Sequence, residues 1–120
     1  MKSLVLVLSA AGMIGLAAPA IAHHSAAPFD FTIRDAKVTG VVKEFEVANP
    51  HTKIVLMVSD DKGAREIEFE GHSRNNYYRQ GWRPALVKVG DTITLLIAPR
   101  KDGSDGGYAL NVIAADGTEF

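Results

Sequence analysis

The 120-residue sequence contains no cysteine. That absence excludes disulfides, thiolate metal sites, thiol nucleophiles and redox pairs. A chain exported without disulfides must be held by its hydrophobic core, helped by any ligand it binds. The sequence also lacks an excess of either charge: 13 Lys+Arg stand against 14 Asp+Glu, with the signs interspersed. This is not the footprint of a nucleic-acid binder. No long apolar run follows Ala22, so nothing there suits an integral membrane anchor. No cysteine follows that point either, which excludes a lipoprotein anchor.

What is present begins with a leader. Met1-Lys2 precedes an apolar stretch from Leu4 to Ala18, and then comes Ala20-Ile21-Ala22-His23-His24-Ser25. A basic start, a short apolar stretch and an A-x-A end predict a secretory signal peptide over residues 1–22. The stretch is too short and too rich in Ala and Gly for a membrane span. Cleavage after Ala22 leaves about 98 residues carrying 12 Lys+Arg and 14 Asp+Glu, enough for one domain and one core. The expected location is the bacterial periplasm or the cell exterior.

The remaining chain reads as an arm over 23–35 and a body over 36–120. The arm has no hydrophobic period, and Phe29 and Phe31 are its only evident anchors. In the body, Lys37 to Val47 predicts a long first strand, with Gly40 inside it marking a bulge or sharp bend. Ala48-Asn49-Pro50-His51 is a turn. Thr52 to Ser59 is a second strand, and Asp60-Asp61-Lys62-Gly63 has hairpin-turn chemistry. Arg65 to Glu70 alternates, with Ile67 and Phe69 on one face and Glu66, Glu68 and Glu70 on the other. Ser73 caps a short helix over Arg74 to Gln80, which Gly81 ends. Two further strands follow, Thr92 to Ala98 and Tyr108 to Ala114, before a short tail, Thr118-Glu119-Phe120.

The order β-β-β-α-β-β, with a long bent first strand, predicts an all-β domain built as a five-stranded OB-like barrel. A partly open β-sandwich is the alternative, although it accounts less well for the helix.

All four histidines lie after the leader: His23, His24, His51 and His72. In an up-down-up arrangement, His51 and His72 fall at the same rim. An arm of this length reaches up to roughly 40 Å when extended, enough to bring His23 and His24 there. A terminal His23 offers a metal its α-amine and its ring Nδ1. With further imidazoles it would form a nitrogen-rich, tetragonal site of the kind that favours Cu(II). Cleavage after Ala20 would instead start the chain at Ile21-Ala22-His23, whose amine, two amide nitrogens and third-position histidine also suit copper or nickel. The plainer reading makes the histidines turn-stabilising or incidental polar residues.

The other polar groups point less clearly to chemistry. Glu66, Glu68 and Glu70, with Glu44 and Glu46 on a neighbouring strand, read as a solvated face. Trp82 reads as a core plug beneath the helix. One of Tyr77 and Tyr78 should be exposed. Arg74, Arg79 and Arg83 form a small basic cluster beside them, so Tyr78 and Arg79 mark a candidate interaction surface. No Ser/His/Asp nucleophile arrangement and no phosphate-binding glycine loop is evident, and no enzymatic activity is expected.

Taken in order, His23-His24-Ser25, Phe29-Asp30, Asn49-Pro50-His51, Arg79-Gln80-Gly81-Trp82 and Val89-Gly90-Asp91 resemble the small exported bacterial proteins grouped as domain of unknown function 6152. The resemblance covers essentially the whole chain after the leader. It implies a small periplasmic β-barrel-like protein with His23, His24 and His51 at pattern positions. The chain departs from the pattern at Lys53-Ile54 and at Gly71-His72-Ser73, which makes His72 the weakest ligand candidate. The expected function is a non-enzymatic periplasmic binding or accessory module. In the specific version it binds copper through His23 and His51, with His24 or His72 as auxiliary. The alternative is a metal-free module that engages a protein or small ligand.

Overall fold

The computed structural model describes residues 28–120. The leader, both cleavage positions, His23 and His24 lie outside the described residues.

Five strands and one helix follow the expected order: β1 (Ala36–Glu46), β2 (Thr52–Asp60), β3 (Gly63–Gly71), α1 (Arg74–Arg79), β4 (Thr92–Pro99) and β5 (Gly107–Ile113). The strands close into a barrel in the order β1-β2-β3-β5-β4. All pairings are antiparallel except β3 with β5, which is parallel and short. This is the OB-like barrel, and closure rules out the open sandwich.

Closure depends on β1 serving two neighbours. Residues Ala36 to Val41 pair with β4, and Val41 to Glu46 pair with β2. The strand must bend sharply between the two ladders. Gly40 stands at that bend, where a Cβ would lie 2.7 Å from the Met57 carbonyl oxygen. The glycine thus permits a close backbone approach. The bulge itself falls one turn of the pleat later, at Lys43, between the pairs Val42–Leu56 and Glu44–Val55. Gly40 therefore marks the bend and not the bulge.

The alternating residues of each strand converge inside. Val42, Ile54, Leu56, Phe69, Ile93, Leu95 and Val112 are all at most 2% exposed, and they form one contiguous core. Transfer of such side chains from water supplies most of the stability of a domain this size. Helix α1 is capped by Ser73, whose hydroxyl accepts from the Asn76 amide, and Gly81 leaves it at φ +105°. The helix buries Tyr77 completely and leaves Tyr78 half exposed. Trp82 is buried in the core, as a plug should be.

The C-terminal residues are more than a tail. Phe120 exchanges both backbone hydrogen bonds with Val112, at 2.6 and 2.9 Å. Its ring meets Tyr77 edge-on at 5.3 Å and Phe45 at 6.4 Å. Phe120 and Tyr77 together plug one end of the barrel. The arm also docks: Phe29 is buried, bridges to Arg100 in the backbone, and packs with Phe31 against Tyr108.

Candidate functional site

The β1–β2 turn and the end of β3 meet at one rim, because Thr52 pairs with Gly71 in the β2–β3 ladder. That register places His51 and His72 beside each other in the backbone, as the up-down-up order predicts. Their rings share a neighbour. Tyr108, from the start of β5, lies 6.5 Å from the His51 ring and 5.2 Å from the His72 ring, edge-on to both. The parallel pair Glu70–Tyr108 carries the tyrosine there.

The two histidines have different surroundings. His72 has both nitrogens committed to the protein. Nε2 lies 3.1 Å from the Leu110 carbonyl oxygen, and Nδ1 lies 3.0 Å from the Tyr108 hydroxyl. A carbonyl only accepts, so Nε2 carries the proton and Nδ1 accepts from Tyr108. Burial lifts the Tyr108 hydroxyl above its ordinary range, and the Glu70 charge adds to the effect, so the phenol keeps its proton at neutral pH. Tyr77 packs edge-on against the far side of His72 at 5.5 Å, and burial pushes its hydroxyl up further still. His72 is thus part of the packing between rim and core. Its Nδ1 lone pair is not directed outward, which sets it apart from the auxiliary ligand role considered for it.

His51 is half-buried, and its Nδ1 stands 3.2 Å from Glu70 Oε1. A carboxylate beside a histidine ring nitrogen is the placement that second-shell acids take around metal-bound imidazoles. Glu70 therefore departs from the solvated face on which alternation placed it. Its neighbours keep to that face: Glu66 and Glu68 are exposed, and Glu44 pairs with Lys53 at 3.2 Å. The hydrogen bond that Lys53 donates to Glu44 raises its ammonium above the usual range.

Sequence reasoning missed Tyr108 and Glu70 as rim residues. The signal for Glu70 was its place two residues before His72. For Tyr108 there was none, because its neighbours come from β3 through a non-local parallel pairing. Among the described residues, no group of three His, Cys, Asp or Glu side chains is arranged to hold a metal ion.

Tyr78 and Arg79 lie on the other side of α1. Tyr78 is 52% exposed, and the Arg83 guanidinium sits 3.9 Å over its ring. Beside it runs an open cleft of about 520 Å³ lined by Phe45, Val47, Arg74, Tyr78, Trp82 and others. The hydroxyls of Ser73 and Ser104 are engaged in a helix cap and an Asp102 turn.

A family model described as "Family of unknown function (DUF6152)" matches residues 10–109, and the chain belongs to that family. No curated protein and no solved structure matches.

Proposed function

We propose that this DUF6152 protein is an exported, non-enzymatic binding module that takes Cu(II) where its N-terminal arm meets the His51 rim. The ligands are His23, through its amine and ring, and His51 through its ring, with His24 as auxiliary. The reading requires removal of residues 1–22, so that His23 carries a free amine. Sequestration or delivery of the metal outside the cytoplasm is the role that follows.

The observation that carries this reading is the docking of Phe29. Its ring packs 5.8 Å from Tyr108, the same ring that His51 touches. Burial of Phe29 ties the arm to that rim. The six steps from His23 to Phe29 span at most about 22 Å, a length that allows both N-terminal histidines to reach His51. Glu70 stands 3.2 Å from His51 Nδ1, an acidic neighbour of the kind that flanks metal-bound imidazoles. Nitrogen donors in this number favour Cu(II) over the other common divalent ions.

The test uses protein exported with its own leader. Intact mass gives the N-terminus, and calorimetry with paramagnetic resonance follows a Cu(II) titration. A start at His23 and one tight, nitrogen-rich site weakened by His51→Ala is the expected result. Binding no tighter than micromolar, or binding indifferent to His51→Ala, would sink the proposed site.

A further inference from the structure

The segment between Glu70 and Asp91 holds Arg74, Arg79, Arg83 and Lys88 and not one acidic residue. The rest of the chain carries an acidic excess, so positive charge is concentrated in this segment. None of the four cations has a carboxylate within ion-pair distance among the described residues. By contrast, Arg65 is held by Asp60 and Asp105 at 2.7 and 2.6 Å. The fold thus pairs a surface arginine where it needs structure and leaves these cations unneutralised.

That segment supplies most of the lining of the apolar cleft. Its floor and walls come from Phe45, Val47, Tyr78, Trp82 and Val87, and Arg74 is its one charged lining residue. One guanidinium nitrogen of Arg74 donates to the Val47 carbonyl at 2.9 Å, and its backbone amide donates to the Ala48 carbonyl. That single bond leaves the remaining donors of a rigid, planar fork for an anion. About 520 Å³ is the size of a small-molecule site, and an apolar wall with one placed charge is its usual composition.

We infer that this cleft binds a small amphipathic carboxylate, its apolar body over Trp82 and Phe45 and its acid group on Arg74. The cleft is open, and its apolar lining with one cation matches a single molecule that has an apolar body and one acid group. Charge complementarity selects an anion over a neutral or cationic molecule of the same body, because a charged acceptor on the guanidinium makes the stronger, charge-assisted hydrogen bonds. The site uses no histidine, so it stands or falls independently of the copper reading.

Trp82 is the only tryptophan, so its emission reports on the cleft directly. The exported protein is titrated with decanoate, decanol and decyltrimethylammonium, each below its aggregation threshold. Decanoate should change Trp82 emission saturably, decanol should bind at least about tenfold more weakly, and the cation should give no response. Arg74→Gln should reduce decanoate to the level of decanol, and Arg74→Lys should fall between. Equal binding of decanoate and decanol overturns the proposal, as does an Arg74→Gln protein that binds decanoate like the parent. No saturable decanoate response, with co-sedimentation on phosphatidylglycerol vesicles instead, overturns it in favour of membrane docking. Should Arg74→Gln fail to fold, the three-ligand series on the unmodified protein still decides.

Discussion

Gly71→Ala tests how tightly the rim is built onto the core. An ideal Cβ at Gly71 runs into the Tyr77 hydroxyl, and it also lies 3.2 Å from Tyr77 Cζ and 3.3 Å from Thr52 Cβ. Neither side has room to yield. Tyr77 is fully buried between Phe45, His72 and Phe120. Gly71 is paired with Thr52 in the ladder, so its backbone is also constrained. Overpacking in a filled core typically costs about 1–3 kcal/mol, and the lack of a compliant neighbour puts Gly71→Ala in the upper half, at about 2–3 kcal/mol. In a domain of this length each kcal/mol lowers Tm by about 4–8 °C. Tyr77→Phe removes the oxygen that the Cβ strikes. That hydroxyl makes no well-formed hydrogen bond, so the single change should lie within about 1 kcal/mol of neutral. The double variant should then be more stable than the sum of the singles by at least about 1 kcal/mol. Rescue stays partial, because Cζ and Thr52 remain. Urea unfolding followed by circular dichroism, with unchanged m-values, gives all four corners of the cycle. A Gly71→Ala cost below about 0.5 kcal/mol, or strict additivity, would refute the account of this contact.

Further outcomes follow from the same geometry. Tyr108→Phe keeps the ring that Phe29 and both histidines pack on but removes the donor to His72 Nδ1; it should cost about 1 kcal/mol, while nitrogen-resolved NMR shows the proton still on Nε2. Finding the proton on Nδ1 in the parent protein would contradict the hydrogen-bond assignment. Phe29→Ala should release the arm at a cost of about 2 kcal/mol and, on the copper reading, weaken Cu(II) binding without touching a ligand; unchanged affinity would mean that the docked arm plays no part in the site. Arg65 holds the carboxyls of Asp60 and Asp105 below the ordinary carboxylate range, chiefly through its hydrogen bonds to them. Their folded values lie below an unfolded value of about 3.9, so this contribution is complete above that pH and is lost as pH falls through the folded values. Arg65→Gln should therefore flatten the decline of Tm below about pH 4, and an identical acid profile in the two proteins would show the clamp to be inert.

Much of the fold was legible because it is written locally. Ile67 and Phe69 alternate with glutamates, so β3 and its inward face could be read directly. Ser73 and Gly81 carry the cap and stop of α1 in their own backbone chemistry. The long β1 with Gly40 inside it, and a helix between the third and fourth strands, favoured an OB-like barrel over a partly open sandwich. The bulge at Lys43 was not legible, because a bulge is a mismatch between two ladders and neither strand records it alone. Phe120 looked like the end of a tail for a similar reason: its partners, Val112 and Tyr77, come from β5 and the helix.

The candidate sites divide along the same line. Sequence alone determined that the chain carries four histidines and no thiol, that His51 and His72 fall at one rim, and that the helix segment concentrates positive charge. These are matters of composition and of strand direction, which a single chain encodes without reference to its partners. Tertiary structure alone decided what the rim histidines do. The parallel pairing of β3 with β5 brings Tyr108 between them and commits both nitrogens of His72, and the β2–β3 register sets Glu70 beside His51. It also decided that the basic segment borders an apolar cleft, because Phe45 and Val47 reach that cleft from the far end of β1. A side chain's chemistry belongs to its residue, but its hydrogen-bond partners, its exposure and its accessible lone pairs are set by neighbours that only closure of the barrel supplies.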